Sequence, residues 1–84
     1  MDIKRTFTLI RLNRLNNRFA HLALDCNTMR GRMHTALEMA IKAETVGEKK
    51  FLIKVVQLED KKWGKMISEM KKLNAKMKKL EATL

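Results

Sequence analysis

The chain lacks the residues that interrupt helices and the residues that form disulfides. Of its 84 residues none is proline, three are glycine and one is cysteine. Because proline breaks helix interiors, its absence permits long continuous helices. A single cysteine cannot form an internal disulfide, so we expect Cys26 to be a reduced thiol packed among apolar side chains. These absences favour an all-α intracellular protein.

Long hydrophobic runs are missing as well. The apolar stretch from Phe7 to Leu12 is interrupted by Arg11, and it is too short for a signal-peptide core or a membrane span. We therefore expect a cytoplasmic location.

Motifs for catalysis and metal binding are also absent from the sequence. There is no glycine-rich phosphate loop, nucleophile elbow or zinc-ligand spacing. His21 and His34 are thirteen residues apart, without a carboxylate or thiol at metal-ligand spacing. Glu59 and Asp60 are adjacent, so their side chains diverge on a helix and cannot form an acid–base pair. We expect no enzyme activity, no cofactor, no metal and no small-molecule substrate.

Two ladders of mostly apolar residues, spaced alternately by three and four positions, dominate the sequence. This spacing is typical of helices that pack along one face. Folding the chain about Val46 places the ladders opposite each other, with Ala40 on Leu52 and Cys26 on Met66. The pattern predicts an antiparallel helical hairpin of the coiled-coil type. The first ladder is Leu12, Leu15, Phe19, Leu22, Cys26, Met29, Met33, Ala36 and Ala40, and the second is Leu52, Val56, Glu59, Trp63, Met66, Met70, Leu73, Met77, Leu80 and Leu84.

The boundaries follow from the one glycine between the ladders. We expect a single domain over residues 1–84, with a first helix at about 3–45, a turn at about 45–48 and a second helix at about 48–83, because Gly47 is a good helix terminator. One straight rod is the alternative. It would place Gly47, Lys50 and Gly64 on the packing seam, where apolar residues are preferred.

The first dozen residues allow more than one interpretation. Ile3, Phe7 and Ile10 fall on the side opposite Leu12 and Leu15. The segment 3–12 is compatible with a helix, with a short strand, or with a segment that becomes ordered on binding. Its apolar residues either form a docking surface or wrap locally onto the bundle.

The positions flanking the seam differ between its two sides. One side is mostly apolar and pairs Leu37 with Ile53 and Ala23 with Ile67, with one favourable ion pair, Arg30 with Asp60, between them. The other side brings like charges together, at Arg32–Lys62, Asp25–Glu69 and Arg18–Lys76. This asymmetry predicts that further helices cover the apolar side, completing a four-helix bundle by dimerisation or with a helical partner. The predicted interface residues are Ile3, Phe7, Ile10, Ala23, Leu37, Ile53 and Ile67.

The net charge of +10 is divided between arginine and lysine along the chain. All six arginines precede residue 33, and every basic residue after Val46 is a lysine. Arginine matches the geometry of phosphate and carboxylate better than lysine does. The ridge formed by Arg11, Arg14 and Arg18 is therefore the candidate contact for an anion or a nucleic-acid backbone.

Three functions are compatible with these features. The favoured one is a non-enzymatic protein–protein interaction module, acting as a small subunit, adaptor or assembly chaperone through helix packing. The first alternative is a basic helical dimer that binds nucleic-acid backbone. The second is a membrane-surface binder, because residues 61–84 form a basic amphipathic pattern. Glu59 lies on the seam opposite Met33, either setting the register, reaching a lysine or contacting a partner.

Overall fold

The protein is an all-helical hairpin in a computed structural model that describes residues 2–84. Helix α1 comprises Ile3–Lys42 and helix α2 comprises Val46–Glu81. The two helices pack against each other, and only residues 43–45 connect them, so they run antiparallel. The predicted hairpin is confirmed, and the continuous rod is excluded.

Helix α1 begins at the N-terminal end of the described chain because an aspartate caps it. The side chain of Asp2 accepts hydrogen bonds from the backbone N–H groups of Lys4 and Arg5, at 3.1 and 3.3 Å. Such a cap satisfies donors that have no partner in the first helical turn. Residues 3–12 are therefore helical, and the strand alternative is wrong.

The connection between the helices lies earlier in the chain than the sequence predicts. Helix α1 ends at Lys42 rather than near residue 45. Thr45 caps helix α2, since its side-chain oxygen accepts from the backbone N–H of Glu48 at 3.2 Å. Gly47 lies inside the first turn of α2, and no residue from 2 to 84 has the positive φ of a left-handed terminator. The break is thus set by the threonine cap and not by Gly47.

The packing seam consists of the two predicted ladders. Cys26 and Leu73 are the most deeply buried side chains among residues 2–84, each 5% exposed. The Cys26 thiol lies with its Sγ 3.7 Å from Sδ of Met66 and 3.8 Å from Sδ of Met70, which confirms the predicted register. Leu84, the last rung, follows the end of α2 and is 50% exposed. The buried residues are Cys26, Met29, Ala36, Ala40, Leu52 and Leu73.

The hairpin is long and thin. Its principal extents are 67 × 15 × 12 Å and its radius of gyration is 19.1 Å. A compact domain of this length would have a radius of gyration of about 12 Å. One seam between two helices therefore provides all of the internal packing.

Candidate interaction surfaces

One flank of the seam is apolar and incompletely covered. We call it the apolar flank and define it by Ala23 and Leu37 on α1 and by Ile53 and Ile67 on α2. Ala23 and Ile67 are partly buried, whereas Leu37 and Ile53 are each 46% exposed. The seam therefore leaves an apolar strip along one side of the hairpin.

Two opposite charges lie in the middle of the apolar flank without meeting each other. Arg30 is seven residues from both Ala23 and Leu37, and Asp60 is seven residues from both Ile53 and Ile67. Both side chains are exposed. The ion pairs within residues 2–84 are Arg18–Glu69 and His34–Glu38. The Arg30–Asp60 pair predicted within the chain is therefore wrong.

The opposite flank does not consist only of the predicted like-charge contacts. Arg18 forms an ion pair with Glu69 across the two helices. Glu69, which was predicted to lie near Asp25, therefore also has a cation as a neighbour. The side chains of the pair are 64% and 38% exposed, and exposed ion pairs contribute little to stability. Arg18 and Lys76, one of the predicted like-charge contacts, line the same groove.

A groove on this second flank is lined by cations from both helices. Its volume is about 420 Å³, and Leu15 and Leu80 contribute apolar surface to it. Towards the N-terminus it adjoins a second groove that shares Arg11 and Arg14. Towards the turn it adjoins a third that shares Lys76. We call the three together the basic trough; its central cations are Arg11, Arg14, Lys76 and Lys79.

The basic trough lies at the end of the hairpin that carries most of the charge. Residues 2–22 and 65–84, which form the end away from the turn, contain eleven basic and three acidic side chains. Residues 23–64 contain eight basic and six acidic side chains. The end away from the turn therefore holds +8 of the net charge of +10. Glu69, paired with Arg18, is the one acidic residue that lines the three grooves.

The apolar residues near the N-terminus stay on the surface. Ile3, Phe7 and Ile10 are 67%, 63% and 45% exposed, so the single hairpin does not bury them. Phe7 and Ile10 line the trough beside Arg11, and they add apolar surface to its N-terminal end.

Glu59 places a carboxylate in the seam. The residue is partly buried, and its Oε2 is buried without a hydrogen-bond partner among residues 2–84. No ion pair involves Glu59 in this part of the chain, so of the three alternatives the contact with a lysine is not formed. A buried acceptor without a partner costs about 1–3 kcal/mol.

Sequence reasoning identified half of the basic trough. Arg11 and Arg14 were predicted as anion contacts, and they do line it, whereas Arg18 lines its extension and pairs with Glu69. Lys76 and Lys79 were missed. The signal was present, because the predicted ladder register, which pairs Leu12 with Leu80 and Leu15 with Met77, also brings Lys79 towards Arg14.

Residues 2–84 show neither a metal-binding group nor a membrane-spanning helix. Residues 2–84 contain no group of histidine, cysteine, aspartate or glutamate side chains that could hold a metal ion. Neither α1 nor α2 is long and apolar enough to cross a membrane. Comparisons of the chain with protein-family models, with curated proteins and with solved structures found no match. The arguments about function therefore rest on the two flanks.

Proposed function

We propose that this chain is a non-enzymatic helix-packing module that associates with a second copy of itself. The apolar flank is the surface of association, and the product is a four-helix bundle. The observation that carries the proposal is the strip formed by Ala23, Leu37, Ile53 and Ile67, which remains open on a hairpin with only one packed seam.

The exposed area of the single hairpin supports association. The chain exposes 7052 Å², whereas a folded monomer of this mass exposes about 5,200 Å². The difference of about 1,900 Å² is more than twice the ~800 Å² that each partner contributes to a standard interface. A second hairpin packed along the flank would bury apolar area that the first seam leaves in water.

The order of residues along the apolar flank favours a second copy as the occupant. Each helix presents apolar, charged, apolar residues at intervals of seven, with the charges Arg30 and Asp60 in the middle. Seven helical residues span about 10.5 Å. A two-fold axis that runs parallel to the helices between the two flanks would place each apolar pair on the same pair of the other copy, and Arg30 of each copy on Asp60 of the other copy. The order of apolar and charged residues on the flank is thus complementary to itself in hydropathy and charge.

The test is the concentration dependence of thermal unfolding. If folding is coupled to dimerisation, the Tm of the unaltered chain rises with protein concentration. Ile67→Lys places a charge in the interface and lowers the Tm at every concentration. Ser68→Lys, at the adjacent exposed position, is the matched control and leaves the dependence unchanged. A Tm that is independent of concentration would contradict the proposal.

The charge pair provides a second and more specific test. Arg30→Glu and Asp60→Arg each set like charges against each other across the proposed two-fold axis, and each weakens association. Combining them restores opposite charges between the two copies and recovers the association. Failure of the double variant to recover would leave a different helical protein as the occupant of the flank.

A further inference from the structure

We propose that the basic trough binds the sugar–phosphate backbone of a single nucleic-acid strand. This site lies on the opposite side of the seam from the apolar flank, so the inference does not depend on self-association. Its cations come from both helices, and the hairpin fold is what brings Arg11 and Arg14 beside Lys76 and Lys79.

The length of the trough fits a linear polyanion. On α2 its cations extend from Lys65 to Lys79, which is about 21 Å of helix. Successive phosphates of one strand are about 3.4 Å apart along a nucleic-acid helix axis. About six phosphates can therefore lie beside the cations of the trough.

The cross-section of the trough favours one strand over a duplex or a bilayer. The cations stand on both walls, and the apolar side chains of Leu15 and Leu80 lie partly buried between them. A strand can enter a groove between two helices, whereas a lipid surface would meet the cations without reaching the apolar floor. Exposed Phe7 lines the N-terminal extension with Arg11 and Arg14, and it offers one surface on which a base can stack.

The trough carries no means of reading sequence. The polar side chains at its centre are all arginine or lysine, which bind phosphates as charges and forks. Binding is accordingly directed at the backbone and decreases with salt. With about six phosphates neutralised, the logarithm of the association constant should fall with the logarithm of salt concentration with a slope of about −4, since each contact contributes about 0.7 on single strands.

The experiment compares two variants of equal net charge in the full chain. The trough variant carries Arg11→Gln, Arg14→Gln, Lys76→Gln and Lys79→Gln. The control variant carries Lys42→Gln, Lys49→Gln, Lys50→Gln and Lys54→Gln, at exposed positions in the half of the hairpin near the turn. Binding of a labelled mixed-sequence oligonucleotide, as DNA and as RNA, is followed by fluorescence anisotropy at physiological salt, with helicity checked by circular dichroism.

The trough variant should bind about 100-fold more weakly and lose about three units of salt slope, because four contacts are removed. The control variant should bind within about three-fold of the unaltered chain, since its charges are distant and screened. If the trough variant unfolds, the pair Arg14→Gln and Lys79→Gln should show a smaller loss in the same direction. The mass in solution should stay the same for both variants, which separates this result from a failure of self-association.

Three results would overturn the inference. Equal weakening by the two variants would show that net charge alone attracts the strand. Tighter binding to a duplex than to a single strand would contradict the fit to one backbone. Binding to vesicles that contain phosphatidylserine, weakened in the trough variant and not in the control variant, with no binding of the oligonucleotide, would assign the trough to a lipid surface.

Discussion

Sulfur-containing side chains pack against each other at the centre of the seam. The thiol of Cys26 lies against the thioethers of Met66 and Met70. Methionine is unbranched and adapts to irregular neighbours, so such a core specifies its packing less sharply than leucine would. A seam of this kind suits a helix pair that readjusts when a second pair packs onto it.

Glu59 is the polar exception in this seam, and its replacement is informative. Glu59→Met removes a buried carboxylate oxygen that has no partner in residues 2–84, so we predict that the free energy of unfolding rises by about 1 kcal/mol. Lys61→Met, at an exposed position two residues along, is the control and changes it by less than about 0.5 kcal/mol. Urea unfolding followed by circular dichroism measures both. A destabilised Glu59→Met variant would mean that the carboxylate binds a partner in the assembled protein.

At the scale of the elements, Gly47 has two possible roles, as a helix terminator or as an ordinary residue in the first turn of α2. The structure places Gly47 in the first turn of α2, with no positive φ and with open space where a Cβ would lie. Gly47→Ala should therefore raise the free energy of unfolding by about 0.4–1 kcal/mol, because alanine restricts the unfolded chain more than glycine does. Gly64→Ala, inside α2 and also facing open space, calibrates the size of the gain. A loss of stability at Gly47 alone would restore glycine as the helix terminator.

The helices could be predicted because the ladder repeats over many turns. Every ladder residue but Leu84 is buried or partly buried, since a seven-residue repeat fixes both the face and the register. The turn could not be located to the residue. Gly47 and Thr45 compete as boundary signals two positions apart, and only the hydrogen bond from the N–H of Glu48 to Thr45 decides between them.

At the scale of the whole molecule, the two sides of the seam carry different surfaces: one is apolar and the other is basic. The apolar flank is partly exposed, and Glu69 is the one acidic residue that lines the basic trough. The apolar flank was readable from the sequence, because heptad positions next to the seam have fixed neighbours. The ion pair between Arg18 and Glu69 was not readable, because long side chains reach diagonally and their rotamers do not follow from spacing.

The most direct test of the account is the mass of the unaltered chain in solution, measured by light scattering at several concentrations. The account predicts a mass of twice the 9.8 kDa of one chain, reached while the protein is fully helical by circular dichroism. A fully helical species that keeps the mass of a single chain at all concentrations would contradict it, because the apolar flank would then be stable in water.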